Sequence, residues 1–201
     1  MKRIVFVVIL TFIIGLTSVN AQKLLNLLSS IPDSTLTKYV TNSDWKAMIT
    51  NFENGDTTVV KNMFNDTISI KKITDNYALV KLNDIVTLEL KLLDDSTIAA
   101  ITTYFTPEAE SKLKLYSTAW KPLPYKLPTP TLIVKPTTMT NEQFIERKSK
   151  IVFTMTQYKL SEKDNSLFVS CSFPLISKDD YLLIKPIITT KTLHWNGKEF
   201  K

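Results

Sequence analysis

Histidine, cysteine and glycine are nearly absent from this chain of 201 residues. It contains one histidine, one cysteine and three glycines. Zinc sites draw on several Cys or His ligands, a phosphate-binding loop needs several glycines, and a disulfide within the chain needs two cysteines. The composition excludes these three features. With no nucleophile motif either, we expect no cofactor, no metal and no catalytic activity.

The positive charges are scattered rather than clustered. The formal net charge is +6, and Lys71-Lys72 is the densest basic pair in the strand-like region. Nucleic-acid binding favours a basic patch or stripe. We therefore expect no nucleic-acid partner.

The first residues have the pattern of a secretory signal peptide. Lys2 and Arg3 precede an almost wholly apolar run over residues 4–16, and Val19-Asn20-Ala21 offers small residues for cleavage. The run is shorter than the roughly 20 residues of a membrane span. We predict that residues 1–21 are removed, which lowers the net charge from +6 to +4 because Lys2 and Arg3 leave with them. The mature protein would be exported to the periplasm or cell surface, with no transmembrane anchor.

Residues 22–120 are predicted to form a first lobe that begins with helices. "KLLNLLSSIP" has leucines at helical spacing and stops at Pro32. A second helix is predicted from an N-cap at Ser43 to Gly55, with one apolar stripe made of Trp45, Met48, Ile49 and Phe52. Trp45 could serve as a ligand platform, but its place in this stripe favours core packing.

From residue 57 the apolar period changes to two. Val86, Leu88 and Leu90 alternate with Thr87, Glu89 and Lys91. Similar segments are "TISIKKI", "YALVKL", "TIAAITTYF" and "KLKLYS", and turn residues separate them. Short alternating runs joined by turns predict an antiparallel meander with one buried face.

A proline-rich connector is predicted over residues 121–139, which hold five of the nine prolines. Residues 140–201 would then form a second, smaller α+β lobe. It would contain a helix with a capping box at Thr140, a hairpin of "IVFTMTQY" and "SLFVSCSF", a helix capped by Ser177, and a terminal hairpin. The predicted fold class is α+β: N-terminal helices on an antiparallel meander, a strap, and a helix-plus-hairpin lobe.

The two rarest side chains are both predicted to be structural. Cys171 shares a strand face with apolar residues, so we expect a small core side chain. Asn196-Gly197 predicts a two-residue hairpin turn that sets His194 opposite Glu199. A catalytic dyad or a metal site would need further members, and a structural pair is the favoured interpretation.

The order of several segments resembles a known family. Behind the secretion signal come "IPDSTLTKYV", "VTLELKLLDDST", "KLYSTAWKPLP", "KLSEKDNSLFVSCSFP", "SKDDYLLIKP" and "HWNGKEF". This order resembles an exported Bacteroidales family, domain of unknown function 3256. The resemblance implies export and an activity that is not established, and it supplies no catalytic or binding residues. Relatives often carry a cysteine pair in the stretch matching Thr106–Ser111, where this chain has "TPEAES".

Three functional hypotheses follow. The first is a cell-envelope binding or interaction module without catalysis, whose partner is an envelope protein or an extended ligand. The alternatives are a hydrolase that uses two carboxylates paired in space, and a carrier or chaperone for apolar cargo. The predicted contact residues are Trp120 and Tyr125, in the seam between the lobes. Their structural alternative is that Trp120 caps the first core and Tyr125 packs under the strap.

The resemblance also implies modification sites. Exported proteins of such bacteria are often O-glycosylated at Asp-Ser/Thr followed by an apolar residue or threonine. Thr67 and Ser96 lie in such triplets, Asp66-Thr67-Ile68 and Asp95-Ser96-Thr97. The alternative is that these pairs are ordinary turn and cap residues.

Processing is the first testable prediction. Protein isolated from the native host should begin at Gln22, because cleavage after Ala21 removes the apolar run. N-terminal sequencing measures this directly, and material that retains Met1 would contradict the prediction. The intact mass of the same sample would show sugar on Thr67 or Ser96 as added mass.

Overall fold

A computed structural model of the protein describes residues 23–32, 40–62 and 64–201. Within these residues the chain forms four α-helices, a seven-stranded antiparallel sheet and a three-stranded antiparallel sheet. The predicted α+β class is confirmed. The predicted signal peptide, residues 1–21, lies outside the described residues. None of the helices in the described part of the chain is long and apolar enough to cross a membrane.

Two helices open the described chain, α1 (23–29) and α2 (Asn42–Asn54). The predicted N-cap of α2 at Ser43 is wrong by two residues. Thr41 is the cap, because its hydroxyl accepts the backbone N–H of Asp44 at 3.1 Å and its own backbone is extended. Gly55 ends α2 in the left-handed conformation that glycine adopts without strain, as predicted.

The large sheet is a meander in which each strand pairs with its neighbour in sequence. Its strands are β1 (Val59–Lys61), β2 (Thr67–Ile73), β3 (Tyr77–Asn83), β4 (Val86–Leu92), β5 (Thr97–Tyr104), β6 (Glu110–Ser117) and β7 (Pro122–Leu123). The proline-rich segment therefore begins as an edge strand, a position where the missing N–H of proline is tolerated.

Helices α1 and α2 cover one face of this sheet. Trp45, Met48 and Ile49 are buried against the apolar residues of β2 to β5. The indole N–H of Trp45 donates to the carbonyl of Leu28 at 2.6 Å, which ties α2 to α1. The prediction that Trp45 belongs to the core is confirmed.

The remaining elements form the second half of the chain. They are α3 (Asn141–Ser149), β8 (Met155–Leu160), β9 (Ser166–Ser172), α4 (Lys178–Ile184), a 3₁₀ turn (Lys185–Ile187) and β10 (Lys191–His194). The sheet order is β10-β9-β8. The caps at Thr140 and Ser177 are confirmed. Strand β8 starts at Met155 rather than Ile151, because Ile151 packs into a small apolar cluster below α3 and α4.

The prediction of a single buried face on the meander is wrong. The three-stranded sheet covers the second face, where β8 contacts β4, β5 and β6. Glu89 and Lys91, which alternate with the apolar residues of β4, are consequently buried as well. The ammonium of Lys91 donates to Asn76 Oδ1 at 3.1 Å and to the carbonyl of Glu162 at 3.2 Å.

Side chains of the large sheet form hydrogen bonds with backbone groups on the outer edge of β8. The N–H of Leu160 donates to Glu89 Oε2 at 3.0 Å, and the Ser111 hydroxyl donates to the carbonyl of Tyr158 at 3.3 Å. The hydroxyl of Tyr77 also donates to Glu89 Oε2, at 3.3 Å. Burial raises the pKa of Glu89 from 4.5 to about 7, although the hydrogen bonds from Leu160 and Tyr77 act in the opposite direction.

The terminal hairpin has a different register from the predicted one. Trp195 pairs with Phe200, and His194 exchanges two backbone hydrogen bonds with Lys201. The turn therefore spans four residues, 196–199, and Glu199 does not face His194. The reason is local: Asn196 Oδ1 accepts the N–H groups of Lys198 and Glu199 at 3.0 and 2.9 Å, which competes with a two-residue turn.

Glu89 should make the stability of the protein depend on pH. The pKa of Glu89 is higher in the folded chain than in the unfolded chain. Its stabilising contribution to the free energy of unfolding is therefore fully present below about pH 4.5 and is lost as the pH rises through about 7. Glu89→Gln keeps an acceptor for Leu160 and removes the charge. As the pH rises from 5 to 8, the free energy of unfolding of the variant should increase relative to that of the wild type, by on the order of 3 kcal/mol at most.

Urea unfolding at the two pH values measures this difference. Glu110→Gln, which removes an exposed carboxylate from β6, is the control and should show no such gain. Equal pH dependence of Glu89→Gln and wild type would contradict the assignment.

Candidate functional site

A half-open cavity lies where β9 ends and α4 begins. Its volume is about 570 Å³, within the roughly 300–1,000 Å³ typical of ligand pockets. The lining residues come from the turn between β5 and β6, the end of β9, the following loop and α4: Glu108, Cys171, Ser172, Phe173, Pro174, Ile176, Ser177, Lys178, Tyr181 and Leu182. We call this site the α4 cavity.

Helix α4 turns most of its apolar residues outward. Ile184 is buried, whereas Tyr181, Leu182 and Leu183 are all exposed, Leu182 at 66%. In the preceding loop Leu175 is 71% exposed. A surface helix of a globular protein normally turns its apolar side chains toward the core, and grouped exposed apolar residues mark interaction sites. Leu175, Tyr181 and Leu182 form what we call the apolar rim of the cavity.

Neighbouring elements hold α4 in this orientation. The Ser177 hydroxyl accepts the N–H of Asp180 at 3.0 Å and caps the helix. Lys150, which follows α3, forms an ion pair with Asp180 at 2.9 Å. The hydrogen bond from Lys150 is the main cause that lowers the pKa of Asp180, and the Ser177 hydroxyl adds to it. Arg147 of α3 also donates to the carbonyl of Leu183.

One residue of the cavity wall carries a buried polar atom that has no hydrogen-bond partner among the described residues. The hydroxyl oxygen of Ser172 is inaccessible to solvent and has no hydrogen-bond partner among the described residues. Asn42 Oδ1 shares this property within the described part of the chain, but it does not line the α4 cavity. A buried hydroxyl without a partner is costly. Because solvent does not reach this oxygen, an occupant of the cavity does not reach it either, and the unpaired hydroxyl bears on stability rather than on binding.

Cys171 is half-buried at the wall of the cavity, between the inter-sheet core and the small cluster below α3 and α4. The prediction of a core side chain therefore describes only part of its surroundings. Burial raises the pKa of the thiol, so that it stays protonated at neutral pH. Because the thiolate is the nucleophile, this side chain is suited to apolar contact.

The charged groups at the cavity are few and of both signs. Glu108 and Lys178 are exposed at its mouth. Glu108 is the one carboxylate among the lining residues, so the cavity lacks the facing pair that glycoside hydrolysis uses. Across the described residues, no group of three or more His, Cys, Asp or Glu side chains is arranged to hold a metal ion.

Comparison with protein families matches nearly the whole chain to one family. The family described as "Protein of unknown function (DUF3256)" matches residues 16–200. The chain belongs to this family. The resemblance seen in the order of sequence segments is thereby confirmed.

A solved structure described as "Structure of a domain of an uncharacterized protein from Porphyromonas gingivalis W83" has the same fold. It aligns with a TM-score of 0.70 and 18% identity, over 89% of this chain and 96% of that chain. At this identity the likeness shows the fold alone. Comparison with curated proteins gave no match.

The two predicted contact residues are engaged within the fold of this family member. Trp120 is 5% exposed and packs against Tyr116 in the core below α1 and α2. Its indole N–H donates to the carbonyl of Leu27 at 3.0 Å. Tyr125 is half-buried, and its hydroxyl donates to the carbonyl of Leu113. This placement corresponds to the structural alternative, and neither residue lines the α4 cavity.

His194 takes part in a structural hydrogen-bond group. Its Nδ1 lies 3.0 Å from the hydroxyl of Ser166, and Asp164 Oδ1 accepts the N–H of Ser166 at 3.1 Å. The residue types are those of a catalytic triad, but Asp164 contacts the serine rather than the far nitrogen of His194, unlike the triad order. Ser166 is also buried. The group fixes the turn between β8 and β9.

The two predicted modification sites differ in access. Ser96 is exposed in the turn between β4 and β5, and its hydroxyl donates to Asp94 Oδ1 at 2.9 Å. Thr67 is half-buried at the first position of β2. Glycosylation of either remains a prediction.

Sequence reasoning missed the α4 cavity. "KDDYLLI" carries the only local signal, four consecutive apolar residues in a helix too short to bury them all. The sequence does not show that β9 ends in a cavity, or that Glu108, some 60 positions earlier, lies at its mouth.

The unpaired hydroxyl of Ser172 leads to a prediction about stability. Ser172→Ala should leave the free energy of unfolding unchanged or raise it by about 1 kcal/mol, because an unpaired buried polar group is removed. Ser166→Ala is the matched control. It should lower stability by about 1 kcal/mol, because that hydroxyl bonds His194. Urea unfolding measures both, and clear destabilisation by Ser172→Ala would show that its hydroxyl is already satisfied.

Proposed function

We propose that this protein is an exported, non-catalytic binding module of the cell envelope and that it binds through the α4 cavity. The observation that carries the proposal is the cavity together with its apolar rim. A half-open cavity with a mostly apolar wall and exposed leucines around its opening has the features of a binding site. Export is supported by the signal-like sequence of residues 1–21.

The hydrolase alternative has less support from the arrangement of acidic groups. Glu89 has the raised pKa of a general acid. However, it lies between the two sheets, 6% exposed, with its carboxylate bonded to Tyr77 and Leu160. It does not line the α4 cavity, so a substrate there would not reach it.

The proposal is tested by photo-crosslinking in the native host. A photoreactive amino acid at position 182 should give a discrete adduct, because Leu182 lies on the apolar rim. The same amino acid at position 85 is the control, since Ile85 is exposed in the turn between β3 and β4. Leu175→Asp should abolish the adduct at position 182. Equal adducts at both positions, or none at 182, would contradict the proposal.

A further inference from the structure

Asparagine followed by glycine occurs twice in the chain, and the structure places the two pairs in different surroundings. Asn54-Gly55 ends α2, and Asn196-Gly197 lies in the turn of the terminal hairpin. Such pairs are prone to lose the side-chain amide, because glycine has no Cβ to hinder attack by its own backbone nitrogen. From the sequence alone, both pairs have the same reactive residues.

The fold protects the first pair. The N–H of Gly55 donates to the carbonyls of Asn51 and Phe52, the latter at 3.1 Å. Attack by this nitrogen on the side-chain amide of Asn54 requires both hydrogen bonds to break and the last turn of α2 to open. We therefore expect Asn54 to be stable while the protein is folded.

The second pair is exposed, and its glycine nitrogen is not held. The N–H of Gly197 donates no hydrogen bond to any residue that the structure describes. Asn196 Oδ1 accepts the N–H groups of Lys198 and Glu199 at 3.0 and 2.9 Å. An asparagine that bonds the backbone two residues on folds its side chain over the peptide bond that follows it. The turn thus directs the amide of Asn196 toward the nitrogen of Gly197.

The same two hydrogen bonds favour the reaction itself. When a nitrogen attacks an amide carbon, negative charge develops on the amide oxygen, and donors about 2.7–3.1 Å away stabilise that charge. The N–H groups of Lys198 and Glu199 are within this range of Asn196 Oδ1. The turn therefore combines an unhindered attacking nitrogen with two donors at the oxygen that becomes charged.

From this contrast we infer that Asn196 is a site of spontaneous deamidation in the folded protein, through a succinimide formed with Gly197. The Gly197 nitrogen loses its proton and forms a bond to Asn196 Cγ. The bond between Cγ and Nδ2 breaks, and Nδ2 takes up a proton and leaves as ammonia. Water, the one other reactant, then opens the ring at either carbonyl and gives aspartate or isoaspartate. The inference is independent of the α4 cavity.

Isoaspartate at position 196 alters the terminal hairpin, because its backbone runs through the side chain and is one atom longer. The turn is closed by the N–H of Asn196, which donates to the carbonyl of Glu199 at 3.2 Å. Next to it Trp195 pairs with Phe200, which is buried in the core between the sheets. A longer turn disturbs both contacts and loosens the hairpin. Aspartate keeps the normal backbone and an acceptor oxygen.

Peptide mapping of the purified protein, incubated at neutral and mildly alkaline pH, tests the site. Trypsin releases Asn196 in residues 192–198 and Asn54 in residues 47–61, and mass spectrometry measures OH in place of NH2. In the folded protein Asn196 should deamidate about tenfold or more faster than Asn54, because the helix holds the reacting groups of Asn54 apart. Its rate should rise with pH, because the attacking nitrogen must lose a proton.

Incubation in urea is the control for the role of the fold. There the two rates should converge, because the protection of Asn54 depends on α2. Equal rates in the folded protein, or faster loss at Asn54, would overturn the inference. Rates that stay equally far apart in urea would also overturn it, since neighbouring sequence would then be the cause.

The effect on the hairpin is tested with the isoaspartate form, separated by chromatography. Asn196→Asp is the matched control, because it has the same charge and a normal backbone. The isoaspartate form should unfold at a lower urea concentration than Asn196→Asp, and Asn196→Asp should unfold close to the wild type. Equal midpoints for the isoaspartate form and Asn196→Asp would show that the longer turn does not loosen the hairpin.

Discussion

The outer edge of β8 lies across the face of the large sheet, where Tyr158 and Leu160 are buried. Buried backbone groups must be paired, and here the pairing comes from side chains of the other sheet. Glu89 accepts the N–H of Leu160, and Ser111 donates to the carbonyl of Tyr158. These contacts fix the three-stranded sheet on the meander and thereby set the direction in which β9 runs toward the α4 cavity.

The polar contacts continue at the turn between β8 and β9. Asn165 donates to the carbonyl of Leu93 at 2.6 Å, Lys91 donates to the carbonyl of Glu162, and the indole of Trp195 donates to Asp94 Oδ2 at 2.8 Å. This end of the small sheet is thus held by specific hydrogen bonds. The opposite end, at Ser172 and α4, carries the unpaired hydroxyl and the exposed leucines.

These placements agree with the proposed binding function. Glu89, the buried carboxyl with a raised pKa, hydrogen-bonds between the two sheets. His194 hydrogen-bonds Ser166 and helps to fix a turn. The wall of the cavity is mostly apolar and includes the protonated thiol of Cys171. Such a wall recognises an occupant mainly by its shape and its apolar surface.

The sequence by itself determined the local structure. Period-two alternation placed five strands of the meander, and Thr140, Ser177 and Gly55 marked helix ends, because these signals act over a few residues. Tertiary structure decided which faces are covered and where the cavity lies. Alternation shows only that two faces of β4 differ, and whether Glu89 is buried depends on Leu160, 71 positions away. The cavity likewise joins Glu108 to Tyr181, and no local pattern encodes a contact between segments so far apart.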